Sequence, residues 1–123
     1  MSLTRGRRRL RDSRAGAAFL SAADPRIALL VRKVGAPALF YEPERSVFEA
    51  LATAILYQQL HGKAAAAILA RLLSLFPPPF PEPAALLRAD PRDLAACGLS
   101  RAKASAMRDL ALNVLDRTLP DRD

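Results

Sequence analysis

Apolar residues recur three and four positions apart in several stretches of the chain, which is the signature of helices with one buried face. The first stretch follows Asp24-Pro25, where the aspartate can cap free amides and the proline suits a first helical position. Ile27, Leu30, Val31 and Val34 form its face, and Gly35 and Pro37 end it. Phe40-Tyr41-Glu42-Pro43 follows as a linker. Ser46-Val47-Phe48-Glu49 is a capping box, and Phe48, Leu51, Ala52, Ile55 and Leu56 carry the stripe behind it. That helix is apolar around much of its circumference, so it is expected at the centre of the fold, running to about 58–60. His61-Gly62 is expected to break it, with Gly62 supplying the backbone freedom.

A third helix is predicted from about Lys63 to Phe76, with small residues at Ala64–Ala67 and a large face of Ile68, Leu69, Leu72, Leu73 and Phe76. The run from Pro77 to Pro83 holds five prolines and cannot be helical, so it reads as a stiff connector within one domain. Two short helices follow, at Pro83–Ala89 and after the cap Asp90-Pro91, the second closed by Gly98. Ser100 caps a last helix that carries Lys103, Met107, Leu110, Ala111, Val114 and Leu115 and ends near Arg117. The pattern predicts six helices, four substantial and two short, with no strand: an all-α fold.

Composition agrees with that class. Ala and Leu supply 46 of the 123 residues, whereas Val, Ile and Thr supply 10, which favours helix over sheet. No apolar run approaches the roughly 20 residues that span a bilayer. One cysteine, Cys97, cannot form an internal disulfide or a cysteine-based zinc or iron–sulfur site, and one histidine, His61, excludes a histidine-rich one. No metal or other cofactor is implied.

The net charge of +7 is unevenly placed. Residues 1–14 contain Arg5, Arg7, Arg8, Arg9, Arg11 and Arg14 against Asp12 alone, so +5 lies in that segment and only +2 in the rest. Residues 1–19 therefore read as a disordered basic arm, 20–119 as the helical domain and 120–123 as a tail. The arm suits non-specific phosphate contacts, with a solvated tail as the plain alternative. The run from Ala15 to Ala23, broken by Gly16 and Ser21, is too weak for a secretory signal, so the protein is expected in the cytoplasm.

Candidate chemistry is sparse. No glycine-rich phosphate loop and no nucleophile elbow occur. Asp24, Glu49, Asp90 and Asp93 all have helix-start explanations, Asp109 reads as a solvated helix residue, and Cys97 as a small core residue. No catalytic residue is assigned. The unusual segment is Tyr57-Gln58-Gln59-Leu60-His61-Gly62-Lys63, which places two amides, an imidazole and a lysine between two very apolar helices. Amides and imidazole can bond base edges, lysine can reach phosphate, and a side chain on a tight turn can wedge between bases. The alternative is a polar turn with Tyr57 and Leu60 in the core.

The segment from Ala54 to Ala65 resembles the early helix pair of the helix-hairpin-helix DNA glycosylases, of the type acting on 3-methyladenine and other alkylated bases. Cys97-Gly98-Leu99-Ser100-Arg101-Ala102-Lys103-Ala104 is similar to that family's G-L-S-x-x-K-A helix start, and Asp24-Pro25-Arg26-Ile27 with Val34-Gly35 to the helix preceding both. The resemblance implies base-excision repair on double-stranded DNA: flipping a damaged base and hydrolysing its N-glycosidic bond. It points to Gln59 or Leu60 as the wedge, with Gln58, His61 and Lys63 as neighbouring contacts. His61 stands where the family usually has serine. The family's L-P-G-I-G hairpin and the catalytic aspartate beyond it have no match within the 123 residues, and Asp116, Asp121 and Asp123 do not take that aspartate's place. On that basis the chain reads as an N-terminal portion, catalytically incomplete and prone to self-association through uncovered apolar faces. The alternative is a non-catalytic basic helical module that binds nucleic acid or a protein partner.

Overall fold

Seven helices and one short pair of strands form among the described residues, one helix more than the pattern predicts. The structure is a computed structural model that describes residues 13–119 and the backbone of Arg8 and Arg9. The chain divides into two compact units, one up to Glu44 and one from Arg45 onward.

In the first unit, α1 (Ser13–Ala23) packs against α2 (Pro25–Val34). Helix α1 corrects the reading of residues 1–19 as a disordered arm, because 13–19 are helical. Ala15, Ala17, Ala18 and Leu20 are strong helix formers, although they directly follow the arginine-rich segment. Asp24-Pro25 is therefore the joint between two helices. The Asp24 amide closes α1 on the Leu20 carbonyl at 3.0 Å, and its carboxylate caps α2 by accepting from the Arg26 amide at 2.8 Å. The Arg26 guanidinium also donates to that carboxylate, at 3.0 Å, and holds its pKa below the usual value. Gly35, at φ 85°, ends α2 as expected. The expected linker at 40–43 contains β2 (Phe40–Tyr41), paired antiparallel with β1 (Arg8–Arg9), Arg8 opposite Tyr41 and Arg9 opposite Phe40. A two-residue ladder is below what a side-chain pattern can reveal, and the fold class remains all-α.

The second unit contains α3 (Val47–Tyr57), α4 (Gly62–Ser74), α5 (Pro83–Arg88), α6 (Pro91–Ala96) and α7 (Arg101–Leu115). Each predicted cap forms: Ser46 accepts from the Glu49 amide at 3.0 Å, Asp90 from Arg92 at 2.8 Å and Ser100 from Lys103 at 3.2 Å. Phe48, Ala52 and Leu56 form the buried stripe of α3, and Met107, Leu110 and Ala111 that of α7. Leu72, Leu86, Leu94 and Leu99 join them in the core, each contributing about 1.5–3 kcal/mol through burial of its side chain. The hub is α7, which packs against α3, α5 and α6, whereas α3 meets α7 and α4. Helix α3 is less enclosed than expected: Leu51, at the edge of the predicted stripe, and Tyr57, at the end of the helix, remain exposed. Of the alanines at 64–67 only Ala65 is buried. The proline-rich connector is anchored by buried Pro81 and Pro83 and by Phe80, whose ring meets Phe48 edge-on at 6.0 Å.

Candidate nucleic-acid interface

Helix α3 ends where the Gln58 amide bonds the carbonyls of Ala54 and Ile55. Tyr57 to Leu60 then form a turn, closed by the Leu60 amide on the Tyr57 carbonyl at 3.3 Å. Gln58 has φ −55° and ψ 131°, and Gln59 has φ 56°. This is the type II pattern, whose third residue must enter the left-handed region and is usually glycine or asparagine. Glutamine there is sterically strained by about 1–2 kcal/mol. The strained residue is thus Gln59, and the expectation that Gly62 supplies the unusual backbone is corrected. Gly62 is the first residue of α4, without a positive φ.

Residues 58–63 are all exposed. Tyr57 and Leu60 retain 37% and 36% of their surface, so the alternative that placed both in the core is also corrected. The turn thus leaves its large apolar residues only partly covered. His61 occupies the N-cap position of α4 and accepts from the Lys63 amide through Nδ1, at 3.4 Å. The imidazole thus does the work of a capping hydroxyl, through a long and weak bond.

The residue that sequence reasoning missed is Lys103. Its Nζ donates to the Leu56 carbonyl at 2.7 Å and to the Gln58 carbonyl at 2.6 Å. A cation at a helix C-terminus meets the unpaired carbonyls and the negative end of the dipole. One signal was available: Lys103 lies four residues before Met107 on the stripe that α7 buries, where a lysine needs a partner. Between the end of α3 and the start of α7 lies a groove of about 350 Å³, lined by Ile55, Gln58, Gln59, Ser100, Ala102, Lys103 and Ala106. None of these residues carries a carboxylate.

Two other cations of this unit are engaged in the same manner. Arg71 donates to the Cys97 carbonyl at 3.1 Å and Arg108 to the Leu87 carbonyl at 3.2 Å. Lys63, by contrast, is exposed beside the turn. Of the arginine arm, Arg14 is exposed on the first turn of α1. Arg8 and Arg9 are described only as backbone in β1, and Arg5, Arg7 and Arg11 lie outside the described residues. Cys97 is buried, which raises its thiol pKa, as expected of a core cysteine.

Residues 52–121 match the family model of the HhH-GPD superfamily base excision DNA repair proteins. That span takes in most of α3, the Gln58–His61 turn, the groove and α7, and it is more than half of the chain. The chain belongs to the HhH-GPD superfamily. Among solved structures, the 3-methyladenine DNA glycosylase of the yeast Schizosaccharomyces pombe, in complex with abasic DNA, is similar at a TM-score of 0.68 and 32% identity. The match covers 85% of this chain and 52% of that one. The DNA-3-methyladenine glycosidase of Bacillus halodurans shares the fold at a TM-score of 0.73 and 24% identity, over 92% of this chain and 51% of that one. The HhH-GPD chain thus spans about half the length of each. No curated protein sequence matches it.

Proposed function

We propose that this HhH-GPD chain serves excision of alkylated bases, of the 3-methyladenine type, from double-stranded DNA, with the Gln58–His61 turn as the element that enters the duplex. The observation that carries the reading is the turn itself: four exposed side chains on a strained backbone, within the span matched by a DNA-repair family. The 32% identity to a glycosylase solved on abasic DNA supports the same reading.

A base inside the stack cannot be reached, so it must be flipped out and the vacancy filled. Gln59 or Leu60 is the wedge in this reading. Gln58 and His61 are the neighbouring contacts, and Lys63 meets phosphate. Among the described carboxylates, Asp24 and Asp90 cap helices, and Glu49 lies 3.7 Å from the Arg45 guanidinium. No bond-breaking role is assigned to these carboxylates; in this reading the turn residues Gln58 to His61, with Lys63, bind DNA and expose the base. Arg5, Arg7, Arg8, Arg9, Arg11 and Arg14 add contacts to the backbone that do not depend on damage.

The test is binding to a duplex with one abasic site against the same duplex intact, alongside single-turnover release of 3-methyladenine from methylated duplex DNA. The reading expects tighter binding to the abasic duplex, with Gln59→Ala or Leu60→Ala reducing that preference. Deleting residues 1–14 should weaken both duplexes alike and flatten the dependence on salt. Equal affinity for the two duplexes in the intact chain would reject the turn as a wedge.

A further inference from the structure

The two carbonyls held by Lys103 differ in what they control. The Leu56 carbonyl belongs to the end of α3, and the ammonium there acts as a helix cap. The Gln58 carbonyl belongs to the peptide between Gln58 and Gln59. Type I and type II turns differ mainly in the orientation of that central peptide, which changes ψ of the second residue and the sign of φ at the third. For glutamine at the third position type I is the easier choice, since its φ there is negative. The turn nonetheless has ψ 131° at Gln58 and φ 56° at Gln59. The 2.6 Å bond from Nζ fixes the carbonyl in the orientation that type II requires.

We propose that Lys103 is a positioning residue for the turn. By holding the Gln58 carbonyl it selects the peptide orientation that places Gln59 in the left-handed region, and so sets the direction in which Gln59 and Leu60 project. Its functional consequence rests on the DNA reading above. The lysine itself touches no base in this account, and acts through the backbone of α3 and the turn from 45 residues away in sequence.

The experiment compares the intact chain with Lys103→Met, Lys103→Arg, Gln59→Gly and the double variant Lys103→Met with Gln59→Gly. One readout is amide hydrogen exchange at Leu60, whose N–H closes the turn, against Leu110 and Ala111 in the core. The other is the ratio of affinities for abasic and intact duplex. Loss of a charge-assisted bond in Lys103→Met should speed Leu60 exchange by about ten- to a hundredfold while the core amides keep their rank. It should also lower the abasic preference by about tenfold, more than it lowers affinity for intact duplex. Lys103→Arg keeps donors and a charge and should restore much of both, and it remains informative if Lys103→Met fails to fold. In the Gln59→Gly background, where the left-handed region carries no penalty, Lys103→Met should change Leu60 exchange much less.

Unchanged Leu60 exchange in Lys103→Met would overturn the proposal. A loosened turn with unaltered abasic preference would reduce Lys103 to a helix cap and overturn its positioning role. If the unmodified chain shows no abasic preference, the DNA reading and the functional half of the proposal fail together, while Leu60 exchange still decides whether Lys103 holds the turn.

Discussion

At Gln58–His61 and again at Cys97–Ser100 a helix stops, one residue enters the left-handed region, a leucine follows, and the next residue caps a new helix. Each bend is also held by a cation from another helix, which donates to the carbonyl just before the left-handed residue: Lys103 to Gln58, and Arg71 to Cys97. The contents differ. The second bend has glycine at the left-handed position, φ 97°, and buries its leucine, Leu99. The first has glutamine at φ 56° and leaves Leu60 partly exposed. Ser100 caps at 3.2 Å, His61 at 3.4 Å. One bend satisfies each local rule, and the other departs from three of them at one place. Such departures persist where the side chains serve something besides stability, as the proposed DNA contact of the exposed amides and imidazole of the first bend would require.

The sharpest way to break this contrast is to truncate the two leucines. Leu99→Ala should cost about 2–5 kcal/mol, because it opens a cavity in the buried core that Leu99 shares with Leu94 and Met107. Leu60→Ala should cost under about 1 kcal/mol, its side chain being already part-solvated. Urea denaturation of both variants measures the pair. Similar losses would mean that Leu60 packs as a core residue, and the reading of the first bend as a presenting element would fail.

Exchanging the left-handed residues gives the next effect, with opposite signs. Gly98→Ala should destabilise by about 2 kcal/mol, from the left-handed penalty and from a new Cβ 3.2 Å from Ile68 Cγ1. Gln59→Gly should stabilise by up to about 1 kcal/mol, since relief of strain exceeds the chain-entropy cost of glycine. The same variant should lose preference for abasic DNA, having lost the side chain that would fill the gap. A Gln59→Gly protein that is more stable and also binds abasic DNA as well as before would leave Leu60 as the wedge.

These two bends also show what the sequence can and cannot reveal. The second is legible because Cys97-Gly98-Leu99-Ser100 states its geometry: glycine for the left-handed residue and serine for the cap. The helices at 25–34, 47–57, 62–74 and 101–115 were legible for the same local reasons, as stripes bounded by caps. At the first bend the residues also marked the place, since amides and an imidazole between apolar helices are unusual. Its geometry was not legible, because it depends on a lysine 45 positions away in sequence. Local rules then favoured Gly62 as the flexible residue, and a tertiary bond placed the strain at Gln59. Helix α1 was missed for a different reason. The charge of Arg5 to Arg14 dominated its window, although Ala15 onward is a good helix former. The division at Glu44 has no signature stronger than the Pro43 linker.

The smallest effects lie at the start of α4, where the first bend meets its helix. His61→Asn substitutes a preferred capping side chain for one that accepts at 3.4 Å, and should stabilise by about 0.5 kcal/mol. Gly62→Ala adds a Cβ that meets nothing within 4 Å, at a helical position without positive φ, and should stabilise by less than about 1 kcal/mol. The two changes share a turn of helix and should be measured together as well as singly, by the shift of the urea midpoint at constant slope. Gly62→Ala should leave binding to abasic duplex untouched, because it removes no polar side chain. His61→Asn should weaken that binding if the imidazole faces the DNA, so the more stable protein would be the poorer binder. Stability gained at His61 with no loss of binding would make the imidazole an inefficient cap and nothing more, and the proposed DNA contact of the first bend would then shrink to Gln58, Gln59 and Leu60.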